Sequence, residues 1–162
     1  MDQVLSLPGQ KYHLMKKKIL LIEDDELDII SVQRALKKIE LSHELITAYN
    51  GVDALEQLLG KSGKTLMNPL PDIILLDINM PKMNGIEFLN ILRKTKELKH
   101  IKVFVMTTSL QESDRKATES LGVSKYLTKP LNFNDNNKNP DSMENFVQFQ
   151  LVNILREDNI ES

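Results

Sequence analysis

The sequence predicts an α/β fold: a doubly wound, five-stranded parallel sheet with five helices on its two faces. Three observations carry that expectation. Short runs rich in apolar residues recur at 19–22, 45–48, 73–76, 101–106 and 123–128, each short enough to be a strand. The segments between most of them repeat apolar residues at helical spacing. Acids, a hydroxyl and a lysine follow four of the runs, at the strand ends where open parallel sheets place their chemistry.

Residues 1–15 show no periodicity, and Pro8-Gly9 breaks any element there, so an extension outside the fold is expected. Lys16-Lys17-Lys18 reads as the solvated entry to the first strand. A helix follows over 26–39, with Asp25 as its cap and Leu27, Ile30, Ala35, Leu36 and Ile39 as its inner face. After the second strand, Asn50 caps a helix that stops near Gly60. Residues 61–71 read as a polar loop. The third strand, bounded by Pro71 and Pro81, is apolar without alternation, as a central parallel strand must be, and ends in Asp77.

A third helix over 84–95 carries Ile86, Leu89 and Leu92. Ser109-Leu110-Gln111-Glu112 has the form of a capping box opening the fourth helix, and Gly122 marks its end. The fifth strand closes at Lys129-Pro130, and an Asn-rich loop fills 132–141. The last helix, 142–156, turns Met143, Phe146, Val147, Leu151, Ile154 and Leu155 to one face and leaves Phe149 and Val152 off it. The expected organisation is an extension (1–15), one folded domain (16–158) and a short tail (159–162).

Composition removes several functions. A net charge of −2, with one three-lysine run, gives no concentrated basic surface for nucleic acid. The absence of cysteine excludes disulfides, thiol catalysis and thiolate metal sites, and suits a reducing, cytoplasmic setting. No apolar stretch approaches the ~20 residues a membrane helix needs. His13, His43 and His100 are scattered, without metal-binding spacing.

The chemistry gathers at the strand ends. Glu23-Asp24-Asp25 follow the first strand, Asp77 ends the third, Thr107 the fourth, and Lys129 the fifth. In a flavodoxin-like strand order, 2-1-3-4-5, the first and third strands are neighbours at the topological switch point, so Glu23, Asp24 and Asp77 converge. Crowded carboxylates either take up protons or bind a cation. An all-oxygen donor set selects a hard ion, and Mg²⁺ suits it. With Thr107 to hydrogen-bond and Lys129 to neutralise an anion, the set is equipped to accept a phosphoryl group.

Taken together, Glu23-Asp24, the segment Asp77-Ile78-Asn79-Met80-Pro81-Lys82-Met83-Asn84-Gly85, Thr107, Tyr126 and Lys129-Pro130 resemble a two-component response regulator receiver domain over roughly residues 17–156. The resemblance implies that Asp77 is the phosphoacceptor. It implies Mg²⁺ bound by Asp24 directly, by Glu23 through water and by the backbone carbonyl of Asn79. Thr107 and Lys129 would contact the acyl phosphate, the Lys129–Pro130 bond would be cis, and Tyr126 would be the aromatic switch that moves with Thr107. The long loops 61–71 and 132–141, with Thr107-Thr108-Ser109, resemble stand-alone receivers found beside phytochrome-type histidine kinases.

Such a protein is not an enzyme on other substrates; it catalyses only its own phosphorylation and dephosphorylation. The implied partners are a histidine kinase or phosphotransfer protein and an unknown downstream protein, with no nucleic acid and no membrane. With no DNA-binding module after residue 156, output would run through the helix 4–strand 5–helix 5 face, to a partner or in a homodimer. Two rival readings fit less well. A haloacid-dehalogenase-like phosphohydrolase carries a second Asp two positions after its nucleophile, where this chain has Asn79. A flavin mononucleotide carrier needs a phosphate-cradling loop after the first strand, where this chain has three acids.

Overall fold

The first two strands belong to no larger sheet. In the computed structural model, which describes residues 3–7, 10–14, 16–39, 41–108, 111–129 and 145–157, β1 (Gln3–Leu7) and β2 (Gln10–Leu14) pair antiparallel with Leu7 opposite Gln10. A hairpin thus stands where the sequence suggested no element. Pro8-Gly9, read as a breaker, lies between two strands, where turn-forming residues belong.

The main sheet consists of β3 (Lys17–Ile22), β4 (His43–Ala48), β5 (Ile73–Asp77), β6 (Lys102–Thr107) and β7 (Lys125–Thr128). All neighbours are parallel, in the order β4-β3-β5-β6-β7, which is the expected 2-1-3-4-5 among these five. β3 and β5 are buried along their whole length, as strands covered on both faces must be. Helices α1 (Glu26–Leu36), α2 (Gly51–Leu59), α3 (Gly85–Lys94) and α4 (Glu112–Glu119) connect the strands. The last helix begins as a π-helical turn at Phe146–Leu151 and continues as α5 (Val152–Glu157).

Two apolar clusters sandwich the sheet. On one face α1 and the last helix close over Ile19, Leu21, Ile73, Leu75 and Phe104, with the Phe104 and Phe146 rings 4.8 Å apart and tilted. On the other, α2 and α3 close over Leu20, Ile22, Ile74, Leu76 and Val105.

Three local expectations meet a different outcome. The inner face of α1 is Ile29, Val32, Ala35 and Leu36, whereas Leu27 is 75 % exposed and Ile30 40 %. The polar Asp28 takes an inward position, because it has a buried cation to meet. Lys18 is buried rather than solvated, and its ammonium donates to Pro69 O at 2.8 Å. That bond also ties down the loop 61–71, which is further fixed by Met67 N donating to Gln57 O and by Lys64 paired with Asp53 and Glu56. α4 starts only at Glu112, and the flanking Gln111 makes no side-chain capping bond; Ser109 lies outside the described residues.

The caps at Asp25 and Asn50 are as read. Asp25 accepts from Leu27 N and Asp28 N, and Asn50 from Asp53 N. The Asn-rich loop and Pro130, with its expected cis bond, lie outside the described residues; the cis peptide found is Asn68–Pro69. The side chain of Phe149 is also outside them, and Val152 is half-buried.

Candidate functional site

Strand register builds the site. Leu76 lies opposite Ile22, so Asp77 at the end of β5 comes beside Glu23, the residue after β3. On its other side Asp77 is in register with Met106, one residue before Thr107. Thr107 pairs with Thr128, and Lys129 N donates to Thr107 O at 2.8 Å, which draws the lysine to the same end of the sheet. Four residues far apart in sequence are therefore brought together by backbone geometry alone.

The floor of the crevice leaves no room for variation at Gly85. Its amide donates to Ile78 O at 2.8 Å, and a Cβ there would stand 2.5 Å from Asp77 O and 2.9 Å from Ile78 Cα. Only glycine lets the start of α3 press so closely on the end of β5. Asn84 caps that helix in a full capping box with Glu87.

Glu23, Asp24 and Asp77 each place a carboxylate oxygen within 4.8 Å of the others. Glu23 is fully buried and Asp77 nearly so, while Asp24 is exposed. Two of these acids, together with Asp28, meet one buried ammonium: Lys129 Nζ lies 2.6 Å from Glu23 Oε2, 2.8 Å from Asp28 Oδ2 and 3.4 Å from Asp77 Oδ1. The other Glu23 oxygen, Oε1, accepts from Asp24 N and Asp25 N.

This crowding sets the protonation. Burial, against the Lys129 hydrogen bond and helped by the nearby Asp77, raises Glu23 from its ordinary 4.5 to about 7. Burial likewise raises Asp77, opposed by Lys129 and reinforced by Asp24. Burial alone would lower Lys129, but Asp28 and Glu23 more than offset it and hold the ammonium above its ordinary range. An all-oxygen cluster whose anions are destabilised by burial and mutual repulsion fits a hard divalent cation, which would relieve both.

Tyr126 on β7 is half-buried, and its hydroxyl meets Thr118 Oγ1 at 2.7 Å. Thr118 is fully buried on α4, and its Oγ1 also faces Asp114 O at 2.8 Å and Arg115 O at 3.1 Å. A threonine hydroxyl has one proton, and two carbonyls compete for it, so Tyr126 is the donor between the two hydroxyls. The Arg115 guanidinium lies 5.9 Å over the Tyr126 ring.

The structure thus gathers Glu23, Asp24 and Asp77 in one cluster, with Lys129 in contact with Glu23 and Asp77 and Thr107 next in register. Asn79 follows two residues after Asp77, its side chain exposed. Tyr126 faces α4. Sequence reasoning missed Asp28 and Thr118. Asp28 had a signal, as an acid in the first turn of the helix that follows Glu23-Asp24; Thr118, in a polar helix, had none.

A profile of the response regulator receiver domain matches residues 19–138. The chain belongs to the response regulator receiver family. It is 41 % identical over 130 residues to the response regulator Rcp1 of Synechocystis sp., spanning 80 % of this chain and 88 % of Rcp1. Among solved structures it resembles the Mn²⁺-bound form of response regulator Rcp1, with a TM-score of 0.66 and 40 % identity over 72 % of this chain and 84 % of the other. It is equally like the phosphorylated cyanobacterial phytochrome response regulator RcpA, with a TM-score of 0.66 and 38 % identity over 71 % and 81 %. The chain thus resembles a response regulator of the phytochrome type. Among the described residues no helix is long and apolar enough to cross a membrane.

Proposed function

We propose that the protein is a Mg²⁺-dependent phosphorylation switch in which Asp77 accepts a phosphoryl group from a histidine kinase or phosphotransfer protein. The observation that carries this reading is the position of Asp77. It is a buried carboxylate at a strand end, inside a three-acid cluster and 3.4 Å from the Lys129 ammonium.

In the transfer, an Asp77 oxygen attacks phosphorus, a P–O bond forms, and the bond to the donor atom breaks, its electron pair leaving with the donor. Asp77 attacks as an anion, so no proton has to be removed from it. Mg²⁺ held by Asp24, Asp77, the backbone carbonyl of Asn79 and, through water, Glu23 would supply positive charge to the transferring oxygens. Lys129 and Thr107 then contact the new acyl phosphate, the first by charge and the second by its hydroxyl.

Drawing Thr107 toward that group opens space for Tyr126, whose release from Thr118 reports the event to α4. The α4–β7–α5 face is thereby offered to a downstream protein or to a second copy. Residues 16–158 serve as the receiver unit, with 1–15 as an extension, 159–162 as a tail, and the cytoplasm, where kinases draw on ATP, as the setting. The protein acts on no substrate other than its own phosphoryl group.

The test is acetyl phosphate, a small donor that needs no kinase, with mass measurement of the intact protein. Addition of one phosphoryl group with Mg²⁺ and none after chelation supports the reading. Equal uptake in both contradicts it.

A further inference from the structure

The third partner of the Lys129 ammonium is a residue the receiver motif does not include. Asp28, on the first turn of α1, accepts from Lys129 Nζ at 2.8 Å, a shorter contact than the 3.4 Å to Asp77. An ammonium has three protons. Here three carboxylates surround it, Glu23, Asp28 and Asp77, and the two short contacts are to Glu23 and Asp28. Among the described residues no buried side-chain nitrogen or oxygen lacks a hydrogen-bond partner, so the arrangement is complete as it stands.

We infer that Asp28 is a positioning residue: it holds the Lys129 ammonium on the α1 side of the crevice, and so keeps it from closing on Asp77 before the phosphoryl group arrives. The inference rests on the reading of Asp77 as phosphoacceptor. A carboxylate in a direct, short ion pair with a buried ammonium is a poorer nucleophile, because its lone pairs are occupied and the pair must be broken before attack. An ammonium shared with two other acids stays within reach of the transferred oxygens while leaving an Asp77 oxygen open. Asp28 is suited to this role by its place. Asp25 caps the helix and fixes Asp28 one turn in, with the Asp28 side chain 25 % exposed and the lysine it holds only 5 % exposed.

The transfer this serves balances simply. With acetyl phosphate, an Asp77 oxygen bonds to phosphorus, the bond between phosphorus and the acetyl oxygen breaks, and acetate leaves with the electron pair.

Two measurements on Asp28→Ala test the inference. In a crystal structure of the metal-free variant, the Lys129 Nζ to Asp77 Oδ1 separation should shorten from 3.4 Å to about 2.8 Å, the length of a charge-assisted hydrogen bond. In phosphorylation by acetyl phosphate at saturating Mg²⁺, the maximal rate constant should fall roughly tenfold, the worth of one such bond to be broken. The donor concentration at half-maximal rate should stay unchanged, and Asp28→Glu should restore much of the rate. A merely structural role for Asp28 would lower the melting temperature without that split or that rescue. An unchanged separation, or a variant phosphorylated at the wild-type rate, overturns the positioning role and leaves Asp77 as acceptor. Wild-type protein that takes up no phosphoryl group at all overturns the acceptor reading, and the inference with it.

Discussion

The two helices on the β7 side of β5, α3 and α4, are held by different means. α3 buries Gly85, Phe88, Leu89 and Leu92, opens with a full capping box, and near its end sends Arg93 to the carbonyls of Lys99, Ile101, Leu121 and Gly122. α4 buries only Thr118, and Gln111 gives it no side-chain cap. Apolar burial is worth roughly 1.5–3 kcal/mol per large side chain, while a hydrogen bond such as Thr118–Tyr126 contributes only about 0.5–1.5 kcal/mol. The contrast assigns the two helices different work. α3 fixes the floor of the site, and α4 is the more weakly attached, which on the proposed reading lets it answer a small change at Thr107 and Tyr126.

The largest expected effect lies on the fixed side. Asp77→Asn should abolish the mass gain from acetyl phosphate altogether. Persistent uptake would move the acceptor to another residue. Gly85→Ala comes next, because its Cβ would collide with Asp77 O and Ile78 Cα and the backbone has to give. A loss of about 1–3 kcal/mol in denaturant unfolding is expected, with weaker Mg²⁺ binding. Wild-type stability in this variant would mean that the α3 side is less rigid than its contacts imply.

The acid cluster should show its crowding in pH dependence. Glu23 titrates near 7 in the folded, metal-free protein against 4.5 ordinarily. A raised carboxyl contributes stability that is fully present below 4.5 and is lost as pH rises through 7. Metal-free protein should therefore lose stability over that window. Mg²⁺ affinity, measured by calorimetry, should rise over it, by up to about tenfold per unit for one displaced proton. A flat affinity profile would remove Glu23 from the metal's surroundings.

The smallest effect belongs to the loosely held side. Thr118→Val keeps the buried shape and removes the acceptor for Tyr126. The cost should be at most about 1 kcal/mol, and phosphorylation by acetyl phosphate should quicken by up to roughly fivefold as the released tyrosine becomes easier to draw inward. A slower reaction would show that the Tyr126–Thr118 bond does not restrain the switch.

Much of this was legible in the sequence where a single local rule decides the outcome. Continuous apolar runs fixed the five parallel strands, and strand order then placed Glu23 and Asp24 against Asp77. Asp25 and Asn50 read correctly as caps because their capping bonds are made within three residues. Misreadings arose where distant partners override local pattern. Asp28 faces inward because Lys129, a hundred residues away in the chain, is there to receive it, and Leu27 and Ile30 turn outward as a result. Lys18 is buried because Pro69 offers it a carbonyl. The hairpin at the N-terminus was missed for the opposite reason, since two five-residue strands around Pro8-Gly9 carry too little pattern to show a period.

Hydrogen exchange followed by mass spectrometry, on the free protein and on protein kept phosphorylated with acetyl phosphate and Mg²⁺, compares the two helices directly. Protection in peptides from 112–122 should change by roughly tenfold or more on phosphorylation, while peptides from 85–94 keep theirs. Equal changes in both, or a change confined to 85–94, would contradict the division between a fixed floor and a responsive α4.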